Sequence, residues 1–242
     1  MSSRKEQKEQ MRQERMRREQ EAKAAQRRKQ LVGYGVGGAL AVAAVVIVVV
    51  LLASGGDDGG GTDPASADVY PTGVSIPGPG QLATDLEAAA DAAGCELESN
   101  RAESRDHVED PNESLTYEQN PPNSGRHFAL PADDGIYEEA PDKEELVHTL
   151  EHGRVIIWFQ PDLPGDARGA LRTLFEEDSH QLVVTPNQTQ MPYAVAATAW
   201  NADPPPLGSG QTLGCPRYNE RVLDALRAFA GEHRGNGPEP IP

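Results

Sequence analysis

The string HTLEH, which runs from His148 to His152, places two histidines and Glu151 within five residues. Residues four positions apart lie on the same face of an α-helix, about one turn apart. The two imidazoles can therefore bind the same divalent metal ion. The pattern H-x-x-E-H is also the reversed zinc-peptidase signature, in which the glutamate acts as general base. The spacing predicts a metal site, with Glu151 as a ligand or as a partner that supports the ligands.

Two further histidines, His107 and His127, lie upstream in polar segments and complete the predicted site. His127 ends the string PPNSGRH, whose prolines stiffen the backbone and whose glycine permits a tight turn. The residues of this motif loop that we single out are Pro121, Pro122, Ser124 and Gly125. Such a loop can hold an imidazole rigidly, which a metal site requires. Imidazole ligands suit several transition metals, and we expect a divalent ion, Zn or Cu.

The same histidines also allow interpretations without a metal. His148 can pack or cap a helix end, and His152 near a helix C-terminus suits the helix dipole. The domain would then be a non-catalytic interaction module of the cell envelope, with histidines that hold loops through hydrogen bonds.

A metal-dependent hydrolase that uses Glu151 is a third alternative. We favour a non-enzymatic role, because reversed zinc peptidases need a further ligand and large substrate-binding segments, for which this chain has little room.

The only two cysteines, Cys95 and Cys215, are 120 positions apart. They form no C-x-x-C pair, so a redox role has no support. In an oxidising compartment the two thiols can pair. A disulfide that closes so long a loop stabilises a fold by roughly 4–5 kcal/mol in the chain-entropy model. We expect a structural disulfide, and free thiols or two metal ligands are the alternatives.

The hydrophobic pattern predicts the elements that must position these residues. A helix is expected over 81–93, and a capping box at Asp142 starts another that ends near His152. A short strand is expected over 114–118. The later elements are strand 154–160, helix 164–178, strands 181–185 and 193–200, and helix 217–231. The fold class is therefore α/β or α+β, a mixed sheet with flanking helices, in an order also found in thioredoxin-like folds.

Charge divides the chain into three parts. Residues 1–30 hold eleven Lys/Arg and five Asp/Glu, residues 31–53 hold no charge, and residues 54–242 hold eleven Lys/Arg and thirty-three Asp/Glu. As a helix, the 23 uncharged residues would be roughly 34 Å long, enough to span a bilayer. A cleaved signal peptide is disfavoured, because its basic leader and its apolar run are both shorter. We predict a single-pass transmembrane helix over 31–53.

The charged flanks predict how the chain lies across the plasma membrane. Basic residues next to the apolar run place the N-terminus in the cytoplasm and the acidic body outside. Composition predicts a charged cytoplasmic tail (1–30), a Gly/Pro/Asp-rich flexible linker (54–80), an extracytoplasmic α/β domain (81–234) and a disordered tail (235–242). Nucleic acid is excluded as a partner, because the acidic body would repel phosphates. The membrane is the partner that we expect.

Several motifs in combination resemble one known family. They are HV at 107–108, Tyr117, PPNSGRH at 121–127, GIY at 135–137, LVHTLEHGRVIIWF at 146–159 and ATAW at 197–200. Together they resemble the domain-of-unknown-function family 3105, common in actinobacteria as membrane-anchored proteins. The resemblance covers about residues 85–232, nearly the whole predicted external domain. It implies a membrane anchor, and it carries no established activity to this chain.

Overall fold

The computed structural model describes residues 69–110 and 112–239 of the chain. They belong to a unit that spans residues 64–242. The helices described are α1 (Leu86–Ala93), α2 (Lys143–Glu151), α3 (Gly165–Glu177) and α4 (Val222–His233). The strands are β1 (Glu96–Arg101), β2 (His107–Val108), β3 (His127–Phe128), β4 (Gly135–Ile136), β5 (Val155–Phe159), β6 (Leu182–Pro186), β7 (Val195–Asn201) and β8 (Ser209–Cys215). This architecture confirms the predicted mixed α/β class.

The predicted transmembrane segment, 31–53, and the charged tail before it lie outside the described residues. Within the described ranges, none of the helices has the length and apolarity that a bilayer span requires.

Six strands form one sheet in the order β1-β8-β7-β5-β6-β4. β5 and β4 both run parallel to β6, while β7 is antiparallel to β5 and β8 is antiparallel to β7. The central strand β5 is buried along its whole length, as the nearly continuous apolar run over 154–160 predicts. β2 and β3 pair in a separate two-stranded ladder.

Alternate residues of β5 enter two different cores, because successive side chains in a strand point to opposite faces. Val155, Ile157 and Phe159 pack with residues of α1, α3 and α4. Ile156 and Trp158 pack on the other face with Leu146, Val147 and Leu150 of α2. The sheet therefore separates the layer of α1, α3 and α4 from the side on which α2 packs, and His148 of α2 lies on that second side.

The structure has each of the predicted helices, but α1 and α4 begin at Leu86 and Val222, five residues later than predicted, and one cap differs. α1 begins where the Asp85 side chain accepts a hydrogen bond from the Ala88 amide, and it ends at Gly94 with φ of 72°. Glycine adopts this left-handed conformation without a steric penalty. The predicted capping box at Asp142 is wrong, because its side chain makes no capping hydrogen bond. The Asp142 backbone carbonyl instead accepts from the amides of Glu145 and Leu146.

The strand predicted over 114–118 is wrong, and three strands of the main sheet, β1, β4 and β8, were not predicted. Residues 114–118 are irregular, and the Leu115 amide donates to the carboxylate of Glu144. β1 reads ELESNR and is almost entirely exposed, so it has no apolar alternation. β8 reads SGQTLGC, with a turn-like composition at its start. Both strands are held by ladder pairing with each other and with β7, a source of order that local sequence does not reveal.

Packing starts before the predicted domain boundary at residue 81 and continues past residue 234. The Tyr70 side chain is only 4% exposed, within the range assigned to the linker, and its ring meets that of Phe159 edge-on at 5.4 Å. At the other end, the amides of Gly235 and Glu239 donate to the carbonyls of Gly153 and Glu151. The described part of the predicted tail thus extends along the C-terminal end of α2.

Candidate metal centre

Four of the five predicted metal ligands converge at one point. The ligand atoms of His107, His127, His148 and Glu151 all lie within 4.8 Å of one another. The Glu151 Oε2 atom lies 3.1 Å from the Nε2 atom of His127 and 3.6 Å from that of His107. In a tetrahedral zinc site with metal–ligand bonds near 2.0–2.1 Å, neighbouring ligand atoms are about 3.4 Å apart. Small movements of the side chains would therefore complete such a site.

Three separate elements bring these donors together. The β2–β3 ladder is parallel and places His107 opposite His127, and the two ring centroids are 4.6 Å apart. α2 supplies His148 and Glu151, which are three residues apart and so lie on one helix face. The His148 ring centroid lies 4.8 Å from that of each of the other two histidines. The centre thus forms where α2 packs against the two-stranded ladder.

Backbone carbonyls fix the tautomers of the two buried histidines. The Nδ1 atom of His127 lies 2.7 Å from the Gly125 carbonyl oxygen, and that of His148 lies 2.7 Å from the Phe128 carbonyl oxygen. A carbonyl only accepts, so Nδ1 must carry the proton in both rings. In the neutral ring, Nε2 then carries no proton and presents a lone pair. Metal-bound histidines commonly donate the proton of their other ring nitrogen to a carbonyl in this way.

The lone pairs of the buried histidines face other acceptors. His127 Nε2 faces a carboxylate oxygen at 3.1 Å, and the His127 side chain is 0% exposed. Two acceptors at that distance repel each other unless a proton or a metal ion lies between them. A divalent cation would satisfy both acceptors.

The electrostatics of the centre favour its metal-binding protonation states. Burial, together with the nearby His127 ring, lowers the pKa of His148 to about 4, so its Nε2 is free at neutral pH. Burial by itself would raise the pKa of Glu151, but the adjoining His127 and Arg105 side chains outweigh it and lower this pKa to about 2. Metal ligands must be deprotonated to bind. His148 and Glu151 are therefore already in the protonation states that metal binding requires.

The motif loop holds His127 in position. Pro121, Pro122, Ser124 and Gly125 are all buried. The Ser124 hydroxyl accepts from the Glu103 amide at 3.3 Å. The Asn123 side chain, which sequence reasoning did not single out, donates at 2.7 Å to Asn100 of β1 and at 3.0 Å to Thr212 of β8. These bonds attach the loop to the main sheet, so the sheet holds His127 in place.

Two residues extend the centre on opposite sides. His152, the fifth predicted ligand, is not among the four clustered donors. Its Nε2 atom lies 3.0 Å from that of His148, and burial, followed by the charge of Arg154, lowers its pKa. On the other side, the Arg105 Nε atom donates to Glu151 Oε1 at 2.8 Å. Sequence reasoning missed Arg105, and its position two residues before His107 is the only local signal.

The predicted disulfide is present between Cys95 and Cys215. It joins the start of β1 to the end of β8, away from the histidines, and the structure describes no free cysteine. Thiolate metal ligation, an alternative at the sequence level, is thereby excluded for these two residues.

Comparison with known proteins gives one result. No curated protein matches the chain, and no solved structure matches it. A family model described as "Protein of unknown function (DUF3105)" matches residues 107–241, more than half of the chain. The match begins at His107 and includes all four clustered donors. The chain therefore belongs to the DUF3105 family, as its motifs predict.

Proposed function

We propose that this protein binds one divalent transition-metal ion in its folded domain, through His107, His127, His148 and Glu151. One observation carries the proposal. The buried imidazoles of His127 and His148 donate their Nδ1 protons to backbone carbonyls, so Nε2 is free in each neutral ring. The ligand atoms of both rings, of His107 and of Glu151 converge on one point, within 4.8 Å of one another. A cation at that point satisfies all of them.

The chemistry of the donors supports Zn or Cu over the alkaline-earth ions. Three imidazole nitrogens and one carboxylate form the set. Calcium and magnesium prefer six or more oxygen ligands, with several waters in the case of magnesium. Imidazole nitrogen instead favours ions late in the first transition row.

Metal titration of the purified full-length chain, after removal of bound ions with a chelator, tests this function. We expect about one Zn²⁺ per chain, since four ligands complete one tetrahedral site. His107→Ala removes a partly exposed ligand, so the fold should survive while the affinity falls at least tenfold. His180→Ala is the matched control, because His180 is also exposed and lies outside the cluster. Equal affinity in wild type and His107→Ala would contradict the proposal.

A structural role for the histidines is the second candidate, and a specific observation favours it. The Nδ1 atoms of His127 and His148 each lie 2.7 Å from a backbone carbonyl oxygen, that of Gly125 in the motif loop and that of Phe128 in β3, as an envelope interaction module with structural histidines would require. The two functions differ in their response to the metal. If the histidines are only structural, chelators leave the thermal unfolding midpoint unchanged. If they bind metal, added Zn²⁺ raises the midpoint, because a ligand that binds only the folded state stabilises it.

We further propose that the domain is extracytoplasmic and anchored in the plasma membrane by residues 31–53. The charge distribution around the apolar run supports this orientation. The Cys95–Cys215 disulfide is consistent with it, since such bonds persist mainly in oxidising compartments.

The element order supports a thioredoxin-like arrangement as a finer proposal for the fold. β5, α3, β6, β7, β8 and α4 follow one another along the chain, and their strands lie in the order β6-β5-β7-β8. β5 and β6 are parallel, whereas β7 and β8 form an antiparallel pair. With no C-x-x-C pair in the sequence, this arrangement would serve as a scaffold and not as a redox enzyme.

A further inference from the structure

The metal centre has one side that solvent can reach. His107 and Arg105 form this side, and their side chains are 41% and 35% exposed. The other three donors are buried, with Glu151 only 1% exposed. A ligand that approaches the metal from solvent would therefore pass between His107 and Arg105.

Arg105 has unused hydrogen-bonding capacity on that side. Its Nε atom is bonded to Glu151, which fixes the guanidinium beside the centre. Its Nη1 and Nη2 atoms make no hydrogen bond or ion pair with any residue that the structure describes. The free edge of a guanidinium presents two parallel N–H donors, a geometry that matches a carboxylate.

The charge on this side becomes positive when a metal is bound. Without metal, the positive charge of Arg105 is paired with the negative charge of Glu151, and Asp106, the next residue in the chain, is exposed. Nearby Arg126 is paired with Glu113 at 2.8 Å, so that pair adds little. A divalent ion adds two positive charges, which together with Arg105 outweigh the two carboxylates. An anion should then be attracted only in the metal-bound state.

We propose that the metal-bound centre binds a small carboxylate, with one oxygen on the metal and the carboxylate also hydrogen-bonded by Arg105. This inference rests on the proposed metal site. Zinc sites can expand to five ligands, and the solvent side of the centre lies at His107. The ligand would be held by one metal–oxygen bond and by charge-assisted hydrogen bonds from the guanidinium, which are stronger than neutral ones.

The test uses the full-length chain loaded with Co²⁺, whose visible absorption reports the ligands of the ion. Acetate is the probe, and chloride at equal ionic strength is the reference. We expect a saturable spectral change with acetate. Arg105→Gln keeps all four metal ligands and should still bind Co²⁺, so its response to acetate is measured against its own spectrum without acetate. Acetate affinity should fall by about tenfold or more, the effect expected for losing a hydrogen bond to a charged group.

Arg172→Gln is a matched control. Arg172 also donates from Nε to a glutamate at 2.8 Å and is 37% exposed, but it lies on α3, on the opposite face of the sheet. Its replacement should leave acetate affinity unchanged. Arg105→Lys keeps the positive charge but loses the two parallel N–H donors. Its acetate affinity should therefore lie between those of wild type and Arg105→Gln.

The outcomes separate this inference from the metal function itself. If the Co²⁺ spectrum of wild type is absent, or is the same in His107→Ala, the metal function fails. If that spectrum is present but acetate does not change it, the carboxylate site is wrong and the metal site stands. Equal acetate affinity in wild type and Arg105→Gln would also overturn the inference. A response to phosphate that is stronger than the response to acetate would assign the site to a different anion.

Discussion

At the residue scale, the centre depends on atoms that a motif can locate only in part. The HTLEH string and the PPNSGRH loop identified three of the four donors that converge, because helical spacing and a rigid loop are both visible in the sequence, and His107 was added from a separate polar segment. The tautomers could not be predicted, since they depend on the carbonyls of Gly125 and Phe128. Arg105 could not be predicted either, because no periodic pattern marks a loop residue that becomes a partner of Glu151.

Gly125 is the position where a single methyl group should disturb the centre most directly. Its φ is +125°, and an added Cβ would lie 3.0 Å from the Tyr117 ring. Gly125→Ala therefore strains the backbone and pushes the carbonyl that holds His127. We expect a loss of about 1–3 kcal/mol in the free energy of unfolding together with weaker metal binding. Urea denaturation and Zn²⁺ titration measure the two effects.

Gly231→Ala is the control for this substitution. Gly231 lies within α4, and an added Cβ there would meet nothing within 4 Å. Alanine in a helix interior is favoured over glycine by roughly 0.5–1 kcal/mol, so this variant should be slightly more stable than wild type. If both alanine variants behave alike, the strain assigned to Gly125 is wrong.

At the element scale, the strength of each local signal decided what could be predicted. The apolar run of β5 and the amphipathic helix α3 follow the predicted ranges closely, whereas α4 begins five residues later than predicted. β1 carries mostly polar, exposed side chains and depends on backbone pairing with β8. Such a strand has no hydrophobic period to read. The main sheet was therefore predicted at its centre and missed at both edges, β1 with β8 on one side and β4 on the other.

The last turn of α4 contains a buried histidine that should make stability depend on pH. The Asn201 side chain, at the end of β7, contacts His233 Nδ1 at 3.1 Å. Burial lowers the pKa of His233 to about 4, below its value of about 6.5 in an unfolded chain. The unfolded state thus binds the proton more readily. Stability should be full above about pH 6.5 and decline as the pH falls towards 4.

Replacement of this histidine isolates its contribution from that of His148, whose pKa is lowered too. In His233→Gln, the slope of the unfolding free energy between pH 4 and 6.5 should fall by up to about 1.4 kcal/mol per pH unit. The exposed His180→Gln serves as control and should keep the wild-type slope. Chemical denaturation at several pH values measures the slope. An unchanged slope in His233→Gln would refute the assignment.

At the scale of the whole molecule, the disulfide closes the largest loop in the described chain. Cys95 and Cys215 are separated by 120 residues, and both sulfurs belong to the core shared by α1 and α4. We expect the Cys95→Ala/Cys215→Ala variant to lose about 4–5 kcal/mol of unfolding free energy, as the chain-entropy model gives for such a loop. Reductant should destabilise wild type and leave the double variant unaffected. A wild-type unfolding midpoint that is insensitive to complete reduction would contradict this role.

The uneven distribution of charge leads to a prediction about the orientation of the chain. A tail with a charge of +6, derived from eleven basic and five acidic residues, precedes the neutral stretch, and a strongly acidic body follows it. Since basic flanks stay in the cytoplasm, protease added to intact spheroplasts should digest the folded domain and spare the first 30 residues. Antibodies against the two ends measure the outcome, and lysed spheroplasts, in which protease reaches both ends, are the control. Protection of the domain in intact spheroplasts would reverse the topology. It would also require that the Cys95–Cys215 disulfide persist in a reducing compartment, where structural disulfides are rare.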